Sequence, residues 1–335
     1  MRVVITGGHG FVGRTLAREI LSRGSLCGQH VDELVLADVA PRPADLDHVG
    51  TVHTVGGDLA DSLPELFADR VDVVFHLASA VSAECERDFD LGMTSNLMGT
   101  QAVLEAARAQ RDRGGGLATM LFSSSLAVYG PDPGVPPPDV VSEATLAIPH
   151  SSYGAQKLAS ETLIADYTRK GFVDGRVVRL MTVAIRPGLP NAAASGFVSG
   201  IVREPLAGLE VTCPVPPDLP LAISSPRATV AGILTVAEAP RGPAAGQLSG
   251  RLPVNLPALT VSVAQMLAAL AKLAGDKVAA RVRMQIDPAI EEIVASWPTR
   301  FDSSRAAALG VTADPDVETV IGQYMDDHPE ALGGL

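Results

Sequence analysis

The chain begins with a short apolar strand, a glycine-rich turn and a helix, and this order constrains the fold more than any other feature. After the strand at 2–6, Gly7, Gly10 and Gly13 recur at three-residue spacing, and the stretch 11–23 has helical periodicity. Glycine lets a turn tighten and lets backbone N–H groups approach a pyrophosphate, while a helix N-terminus adds partial positive charge. We predict that this turn binds a dinucleotide; the plainer alternative is a structural turn. The predicted contacts are Gly7, Gly10, Phe11, Val12 and Gly13.

Short apolar strands alternate with helix-length stretches through the first half of the chain. Further strands are predicted at 33–38, 52–55, 72–77, 118–123 and 176–180, and helices at 94–110 and 152–170. Nearly continuous apolar strands that are separated by helices are typical of a parallel sheet covered on both faces. We therefore predict an α/β fold of the Rossmann type, a doubly wound parallel sheet with a smaller C-terminal substrate-binding lobe.

The second half of the chain has a different pattern. Proline and glycine interrupt it heavily, and helical periodicity returns at 262–274 and 288–295. This pattern predicts a smaller lobe assembled from excursions off the sheet. We predict a Rossmann domain at 1–185 with a returning segment at about 220–260, and a substrate-binding lobe formed by 186–219 and 261–335.

Composition and charge exclude several kinds of partner. The formal net charge of −12 argues against a nucleic-acid backbone or an anionic membrane. Cys27, Cys85 and Cys213 lie far apart without metal-ligand spacing, so we predict reduced thiols and no metal site. No apolar run is long enough for a signal-peptide core or a membrane span, which predicts a cytoplasmic protein.

Two aspartates that follow predicted strands are candidates for the nucleoside half of the cofactor. Asp38 ends the strand at 33–38, where a carboxylate can accept hydrogen bonds from both ribose hydroxyls and repel a 2′-phosphate. It predicts NAD and not NADP, against the alternative of an exposed strand-end acid. Asp58, in the sequence Gly57-Asp58-Leu59, can bond the adenine amino group, although Gly-Asp is also a common turn.

A tyrosine, a lysine and a serine are the candidates for chemistry. Tyr153 and Lys157 stand four residues apart in the helix predicted at 152–170, which puts both side chains on one face. A nearby cation is expected to lower the tyrosine pKa, so that the phenol can take a proton from an alcohol while hydride leaves its carbon. Ser125 follows the strand at 118–123, at the sheet edge where ligands bind. The alternatives are a chance Tyr–Lys pair on a helix surface and a small-residue turn.

Taken together, these motifs resemble the extended short-chain dehydrogenases/reductases, the family that includes the NAD-dependent sugar epimerases and dehydratases. The resemblance covers nearly the whole chain and is specific as a set. The matching segments are TGGHGFVG at 6–13, Asp38, GDL at 57–59, HLAS at 76–79, Asn96 with Gly99-Thr100, FSSSLAVYG at 122–130, YGAQK at 153–157 and RPG at 186–188.

The resemblance implies a cofactor, a set of site residues and an assembly. NAD is the implied cofactor, and Ser125, Tyr153 and Lys157 are the implied catalytic triad. The implied cofactor cleft also includes Leu59, Leu77, Ala78, Ser79, Asn96 and Ser123. The helices around Asn96 and Tyr153 are implied to join two copies in a homodimer with a four-helix interface.

The second half narrows the substrate class. Sugar-nucleotide epimerases of this family carry an R-x-x-x-H-V-x-D strand whose arginine helps hold the diphosphate. The corresponding stretch, LAISSPRATV at 221–230, has neither the histidine nor the aspartate. The second half instead resembles members that oxidise the C2 hydroxyl of a four-carbon aldonate, through segments such as RPGLPNAAAS, IVREPLAG and WPTRFDSSRAAALG. The resemblance thus implies a small anionic sugar acid as the substrate.

A sugar-acid carboxylate needs a donor, and arginine offers a bidentate one. Arg227, placed on the strand after the lobe excursion, is the first candidate, and Arg186 and Arg300 come next. Asn191 and Ser195 are candidates for the substrate hydroxyls. The alternatives are salt bridges for the arginines and a merely polar loop for the other two. For the whole chain, the alternatives are a nucleotide-sugar epimerase that retains its NAD and a non-catalytic NAD-binding protein.

Overall fold

The computed structural model describes residues 1–40, 51–136, 138–188 and 194–333. Its strands are β1 (Arg2–Thr6), β2 (Ser25–Leu26), β3 (Gln29–His30), β4 (Glu33–Asp38), β5 (Val52–Gly56), β6 (Val73–His76), β7 (Thr119–Ser125), β8 (Asp174–Leu180), β9 (Thr182–Val183), β10 (Val211–Cys213), β11 (Pro220–Ser224), β12 (Val254–Asn255), β13 (Leu259–Ser262) and β14 (Val282–Met284). Its α-helices are α1 (Phe11–Arg23), α2 (Leu59–Leu66), α3 (Ser82–Arg87), α4 (Phe89–Gly92), α5 (Gly99–Asp112), α6 (Ser152–Arg169), α7 (Gly196–Leu206), α8 (Pro226–Glu238), α9 (Val263–Ala274), α10 (Asp276–Ala279), α11 (Pro288–Ala295), α12 (Ser304–Ala307) and α13 (Val317–Asp327).

Seven strands form the main sheet, in the order β12-β8-β7-β6-β1-β4-β5. Every pairing in this sheet is parallel, and Thr6 at the end of β1 pairs with Ala37 of β4 and His76 of β6. From β1 the chain runs outward to one side through β4 and β5, and then to the other side through β6, β7 and β8. A ligand crevice forms at such a reversal, outside the carboxyl ends of the strands. The predicted α/β fold of the Rossmann type is confirmed.

Helices cover both faces of the sheet and bury its apolar side chains. On one face, Leu16 of α1 packs in a cluster with Ile233 of α8. On the other face, Leu104 of α5 and Ile164 of α6 pack with the sheet. α1 ends at Gly24, whose φ of 64° is a left-handed conformation that glycine adopts without a steric penalty.

The second half of the chain builds a lobe with its own apolar core, to which α7, α9 and α13 contribute. β11 pairs with β13 and β9 in a separate three-stranded sheet. In contrast, β12 pairs with β8 at the edge of the main sheet, and α8 packs on the same face as α1. We propose the division of the chain that the sequence predicts, with α8 and β12 as the part that returns to the Rossmann domain.

Two local features of the structure differ from what the sequence predicts. The stretch 24–32, to which no element was assigned, contains the two-stranded hairpin of β2 and β3. The range expected to be one helix at 94–110 instead contains a π-helix at Met93–Met98, which continues directly from α4, and then α5. In the π-helix, the N–H of Gly99 donates to the carbonyl of Thr94, five residues earlier. A period of 3.6 residues in the sequence cannot reveal such a widened turn.

Across the described ranges, no helix is both long and apolar enough to cross a membrane.

Candidate active site

A cleft opens at the carboxyl edge of the main sheet, where β1, β6 and β7 end. It brings together the glycine turn, the serines of β7 and the first turns of α6. The predicted site residues that line it are Gly7, Gly10, Phe11, Val12, Gly13, Leu77, Ser79, Ser123, Ser125, Tyr153, Lys157, Arg186 and Ser195. Phosphate-binding and catalytic candidates that lie far apart in the sequence therefore share one cavity.

The glycine turn forms a cradle of bare backbone. A Cβ atom at Gly13 would lie 2.2 Å from the carbonyl oxygen of Gly7, and one at Gly7 would lie 2.7 Å from the backbone nitrogen of Ala78. Gly7 also has a φ of 71°. Gly10 immediately precedes α1 and has no side chain to cap the N–H groups of the first helical turn. The cradle therefore fits the pyrophosphate of a dinucleotide, which backbone N–H groups and the helix dipole can hold.

The two aspartates are fixed in different ways. The carboxylate of Asp38 accepts hydrogen bonds from the backbone N–H groups of His9 and Ala40, both at 2.9 Å. The carboxylate of Asp58 caps α2 by accepting from the N–H of Ala60 at 2.8 Å. Asp38 thus stands beside the glycine turn, and its contact with the ribose stays a prediction. For Asp58 the structure gives a capping role, and the adenine contact of Asp58 and Leu59 stays a prediction.

Asn96 stabilises the wall of the cleft through hydrogen bonds of its side chain. Its side-chain oxygen accepts hydrogen bonds from the Ser79 hydroxyl at 2.9 Å and the Ala80 N–H at 2.8 Å. Its amide nitrogen donates to Gln156 of α6 at 2.8 Å, and the residue is buried. Ala78 lies against the glycine turn, where its N–H donates to the Thr6 hydroxyl at 3.4 Å. Asn96 therefore connects the loop after β6 to the helix that carries the tyrosine.

Ser125, Tyr153 and Lys157 meet in the cleft. Ser151 begins α6 by accepting a hydrogen bond from the N–H of Gly154, which places Tyr153 on the first turn. The Ser125 hydroxyl lies near enough to the Tyr153 phenol to lower its pKa. The Lys157 ammonium donates to the carbonyl oxygen of Ser123 at 2.8 Å and lies 5.5 Å from the centre of the Tyr153 ring. A strand end and one helix face thus bring the three predicted catalytic groups together.

Burial dominates the pKa values of the catalytic pair. It raises the pKa of Tyr153 to about 12, against the opposing effects of the nearby Ser125 hydroxyl and the Arg186 charge. It lowers the pKa of Lys157 to about 7, because an ammonium in an apolar interior loses its hydration. The expectation that the lysine charge brings the tyrosine pKa down is wrong for this structure. The groups that favour the phenolate are Ser125 and Arg186.

The substrate candidates separate into two groups. Arg186 and Ser195 line the cleft, and the guanidinium of Arg186 donates to the Ser195 hydroxyl at 3.5 Å. Burial lowers the pKa of Arg186, and no carboxylate among the described residues forms a salt bridge with it. Arg227 lies elsewhere: it begins α8 and not a strand, and its Nε donates to Asp327 at 3.0 Å on an exposed surface. Asn191 lies outside the described residues.

Sequence analysis missed other residues of the cleft wall. Met181, Thr182 and Val183 come from the end of β8 and from β9, and Trp297 follows α11. Trp297 is the one tryptophan of the chain, and this rarity was the only feature of the sequence that could have drawn attention to it. Arg300, the third arginine candidate, is exposed, and its carbonyl accepts from the N–H of Val141 at 2.9 Å. Within the described part of the chain, no group of three or more His, Cys, Asp or Glu residues could hold a metal ion.

A phosphate cradle beside a Ser–Tyr–Lys cluster is the arrangement of a nicotinamide-dependent oxidoreductase. The model of the NAD dependent epimerase/dehydratase family matches residues 3–215. The chain therefore belongs to the NAD-dependent epimerase/dehydratase family. Its cofactor is NAD, and it is an enzyme of the dehydrogenase class.

Similar proteins cover the chain from end to end. The D-erythronate dehydrogenase of Cupriavidus necator is 47% identical over 335 residues, and the match spans 98% of each chain. The D-erythronate dehydrogenase of Haemophilus influenzae is 40% identical and the match spans 97% of this chain and 99% of its own. A crystal structure described as a nucleoside-diphosphate-sugar epimerase from Agrobacterium tumefaciens has a TM-score of 0.89 at 37% identity, with 99% of this chain and 95% of that chain covered.

Proposed function

We propose that this enzyme oxidises the C2 hydroxyl of D-erythronate to the 2-oxo acid while NAD is reduced. The observation that carries the proposal is one cleft that contains a dinucleotide cradle, the hydroxyls of Ser125 and Tyr153, and the partly buried Arg186. Two D-erythronate dehydrogenases that match nearly the full chain support the substrate. When bound, NAD accepts the hydride that leaves C2. The hydroxyl proton must then leave the oxygen on C2, and the protein must supply its acceptor.

Tyr153 is the proposed proton acceptor. The Ser125 hydroxyl shares the cleft with Tyr153, from where it can orient the C2 oxygen toward the phenol. Lys157 is held by the Ser123 carbonyl within the same wall, from which it can hold the nicotinamide ribose. On the other side, Leu126 and Met181 pack in an apolar cluster with Trp297. This cluster excludes water from the reacting atoms.

Arg186 is the proposed partner of the substrate carboxylate. Its guanidinium lies in the cleft with Tyr153, where its charge opposes the burial that raises the tyrosine pKa. A partly buried guanidinium that has no carboxylate partner among the described residues favours a bound anion, which compensates for the water that the guanidinium has lost. One arginine thus holds the acid and favours the phenolate. Ser195, at hydrogen-bond distance from Arg186, is the proposed contact for a substrate hydroxyl.

Mixing the purified protein with NAD and D-erythronate tests the proposal through the absorbance of reduced nicotinamide. We expect robust reduction with D-erythronate and none with threonate or UDP-glucose. No reduction with any acid, together with NAD that is released only by denaturing the protein, would overturn the proposal. That outcome would instead favour a nucleotide-sugar epimerase, the description given to the Agrobacterium structure.

We also propose a homodimer that forms through the helices around Asn96 and Tyr153. Three large apolar side chains on or beside these helices, Phe89, Leu91 and Met98, are 59%, 42% and 55% exposed. An exposed apolar group of this kind is typical of a protein interface. Sedimentation should give twice the chain mass, and Phe89→Asp with Met98→Asp should give the monomer. A wild-type protein of single-chain mass at micromolar concentration would refute the dimer.

A further inference from the structure

His9 occupies the middle of the glycine turn but takes no part in the glycine cradle. Its backbone N–H donates to the Asp38 carboxylate at 2.9 Å. Its ring nitrogen Nδ1 lies 2.7 Å from the carbonyl oxygen of Ala40. A carbonyl oxygen can only accept, so Nδ1 carries a proton and donates it to Ala40. Main chain and side chain of one residue thus reach both ends of the segment 38–40.

The second ring nitrogen of His9 does not contribute to this contact. Nε2 is buried and has no hydrogen-bond partner among the described residues, and the whole residue is 9% exposed. The group through which the ring contacts the segment 38–40 is therefore the Nδ1–H donor.

The hydrogen bonds around His9 form a closed unit. Asp38 accepts from the N–H of Ala40 with one carboxylate oxygen and from the N–H of His9 with the other. The carbonyl of Ala40 accepts from the His9 ring, so that His9, Asp38 and Ala40 are joined in a ring of hydrogen bonds. Behind it, the N–H groups of Gly7 and Gly8 donate to the carbonyl of Ala37 at 2.8 and 3.2 Å. The Asp38 carboxylate is therefore held in one orientation relative to the phosphate cradle.

We propose that His9 is a positioning residue that sets the preference for NAD over NADP through Asp38. The inference rests on the proposed contact between Asp38 and the adenosine ribose. A carboxylate held in place can accept from both ribose hydroxyls and lies where a 2′-phosphate would be repelled. Without the Nδ1–H donor, the segment 38–40 loses its side-chain connection to the turn. Affinity for the ribose and discrimination against the phosphate then both decrease.

Calorimetric titration of NAD, NADP and ADP-ribose tests the inference without any turnover. His9→Leu removes the donor, whereas His9→Asn keeps an N–H group near the position of Nδ1. We expect His9→Leu to weaken ADP-ribose binding about tenfold and to reduce the NAD-to-NADP affinity ratio by a similar factor. We expect His9→Asn to restore most of both values.

A control variant and an Asp38 variant are needed to interpret the titrations. His30→Leu, at an exposed histidine of the β2–β3 hairpin, is the matched control and should bind like the wild type. Wild-type affinities in His9→Leu, or equal losses in His9→Leu and His9→Asn, would overturn the inference. Asp38→Asn separates the two proposals: an unchanged NAD-to-NADP ratio there refutes the ribose contact of Asp38, and a lowered ratio with wild-type behaviour in His9→Leu refutes only the role of His9.

Discussion

The ammonium of Lys157 donates to the main-chain carbonyl of Ser123 across 2.8 Å, and this bond joins α6 to β7. Each element also carries another catalytic group, since Tyr153 lies one turn before the lysine and Ser125 two residues after the carbonyl. The lysine is 2% exposed, so its charge has almost no contact with water. The hydrogen bond between Lys157 and Ser123 therefore aligns the site, but it keeps the ammonium charge in a buried position that destabilises the fold.

Replacing Lys157 by Met should stabilise the fold while it removes activity. The pKa of Lys157 falls from 10.5 to about 7 on folding, so the unfolded chain binds the proton more tightly between these values. Stability therefore rises with pH across this window, and the destabilisation is complete below pH 7. At neutral pH we expect Lys157→Met to raise the unfolding free energy by on the order of 2 kcal/mol, after the lost hydrogen bond is subtracted.

Urea unfolding at several pH values measures this effect. The advantage of Lys157→Met over the wild type should shrink as the pH rises through 10.5, above which the lysine is neutral in both states. An exposed lysine provides the control: Lys272→Met should change stability little at any pH, because its side chain is 72% exposed. A variant less stable than the wild type at every pH would contradict the buried-charge explanation.

The rate of alcohol oxidation should rise with pH. Burial raises the pKa of Tyr153 to about 12, so the form that accepts a proton is scarce at neutral pH and grows as the pH increases. We expect kcat/KM for oxidation to increase between about pH 7 and 10 and the reverse reduction to decrease. Tyr153→Phe should lower kcat by about 100- to 10,000-fold without changing NAD affinity. Tyr324→Phe, at a buried tyrosine of the lobe, is the control. A Tyr153→Phe enzyme with near-normal turnover would refute proton transfer by Tyr153.

Arg186 and Arg227 give opposite expectations that one assay can separate. Arg186→Gln should raise the KM for the acid by about 10- to 100-fold, because the variant loses a charge-assisted bond in a buried site. Arg227→Gln should leave both kcat and KM unchanged, because its guanidinium pairs with Asp327 outside the cleft. Initial rates over a range of acid concentrations at saturating NAD provide the comparison. The reverse pattern would restore Arg227 as the carboxylate partner.

These two arginines also show which side-chain positions could not be predicted from the sequence. The glycine turn, Asp38, Ser125 and Tyr153 follow strands or begin helices, so their place at the sheet edge follows from a parallel topology. Arg227 depends instead on where the lobe folds back. The sequence placed it on a strand, but β11 ends at Ser224 and Pro226 begins α8. One residue of displacement on a helix turns a side chain by about 100°, which takes it out of a site.

The pKa of Tyr153 could not be read from spacing for a related reason. A Tyr–Lys pair four residues apart fixes which helix face the side chains share, but it does not fix their burial. Here Lys157 is buried and Tyr153 is partly buried, and the lysine ammonium donates to the carbonyl of Ser123. Desolvation then exceeds the attraction between charges. The identities of the catalytic groups are thus local in sequence, whereas their proton affinities depend on the whole fold.

The buried ion pair of Glu161 and Arg179 should be the most sensitive support of the site. Both side chains are 5% exposed, with Oε2 of Glu161 2.6 Å from Nη2 of Arg179. Glu161 also accepts from the hydroxyl of Ser124, which lies between Ser123 and Ser125 on β7. Glu161→Gln leaves a buried guanidinium without its counter-charge, and we expect a loss of about 3–5 kcal/mol in unfolding free energy.

Two further variants decide whether the uncompensated charge causes that loss. The double variant Glu161→Leu with Arg179→Met removes both charges and should recover much of the stability, because apolar residues can replace a buried pair. Glu210→Gln breaks the exposed pair with Arg283, whose side chains are 67% and 64% exposed, and should change stability by less than about 0.5 kcal/mol. If the double variant is no more stable than Glu161→Gln, then packing and the Ser124 hydrogen bond, and not the charge, account for the loss. In that case kcat should fall in both variants, because Ser124 fixes the strand end that carries Ser125.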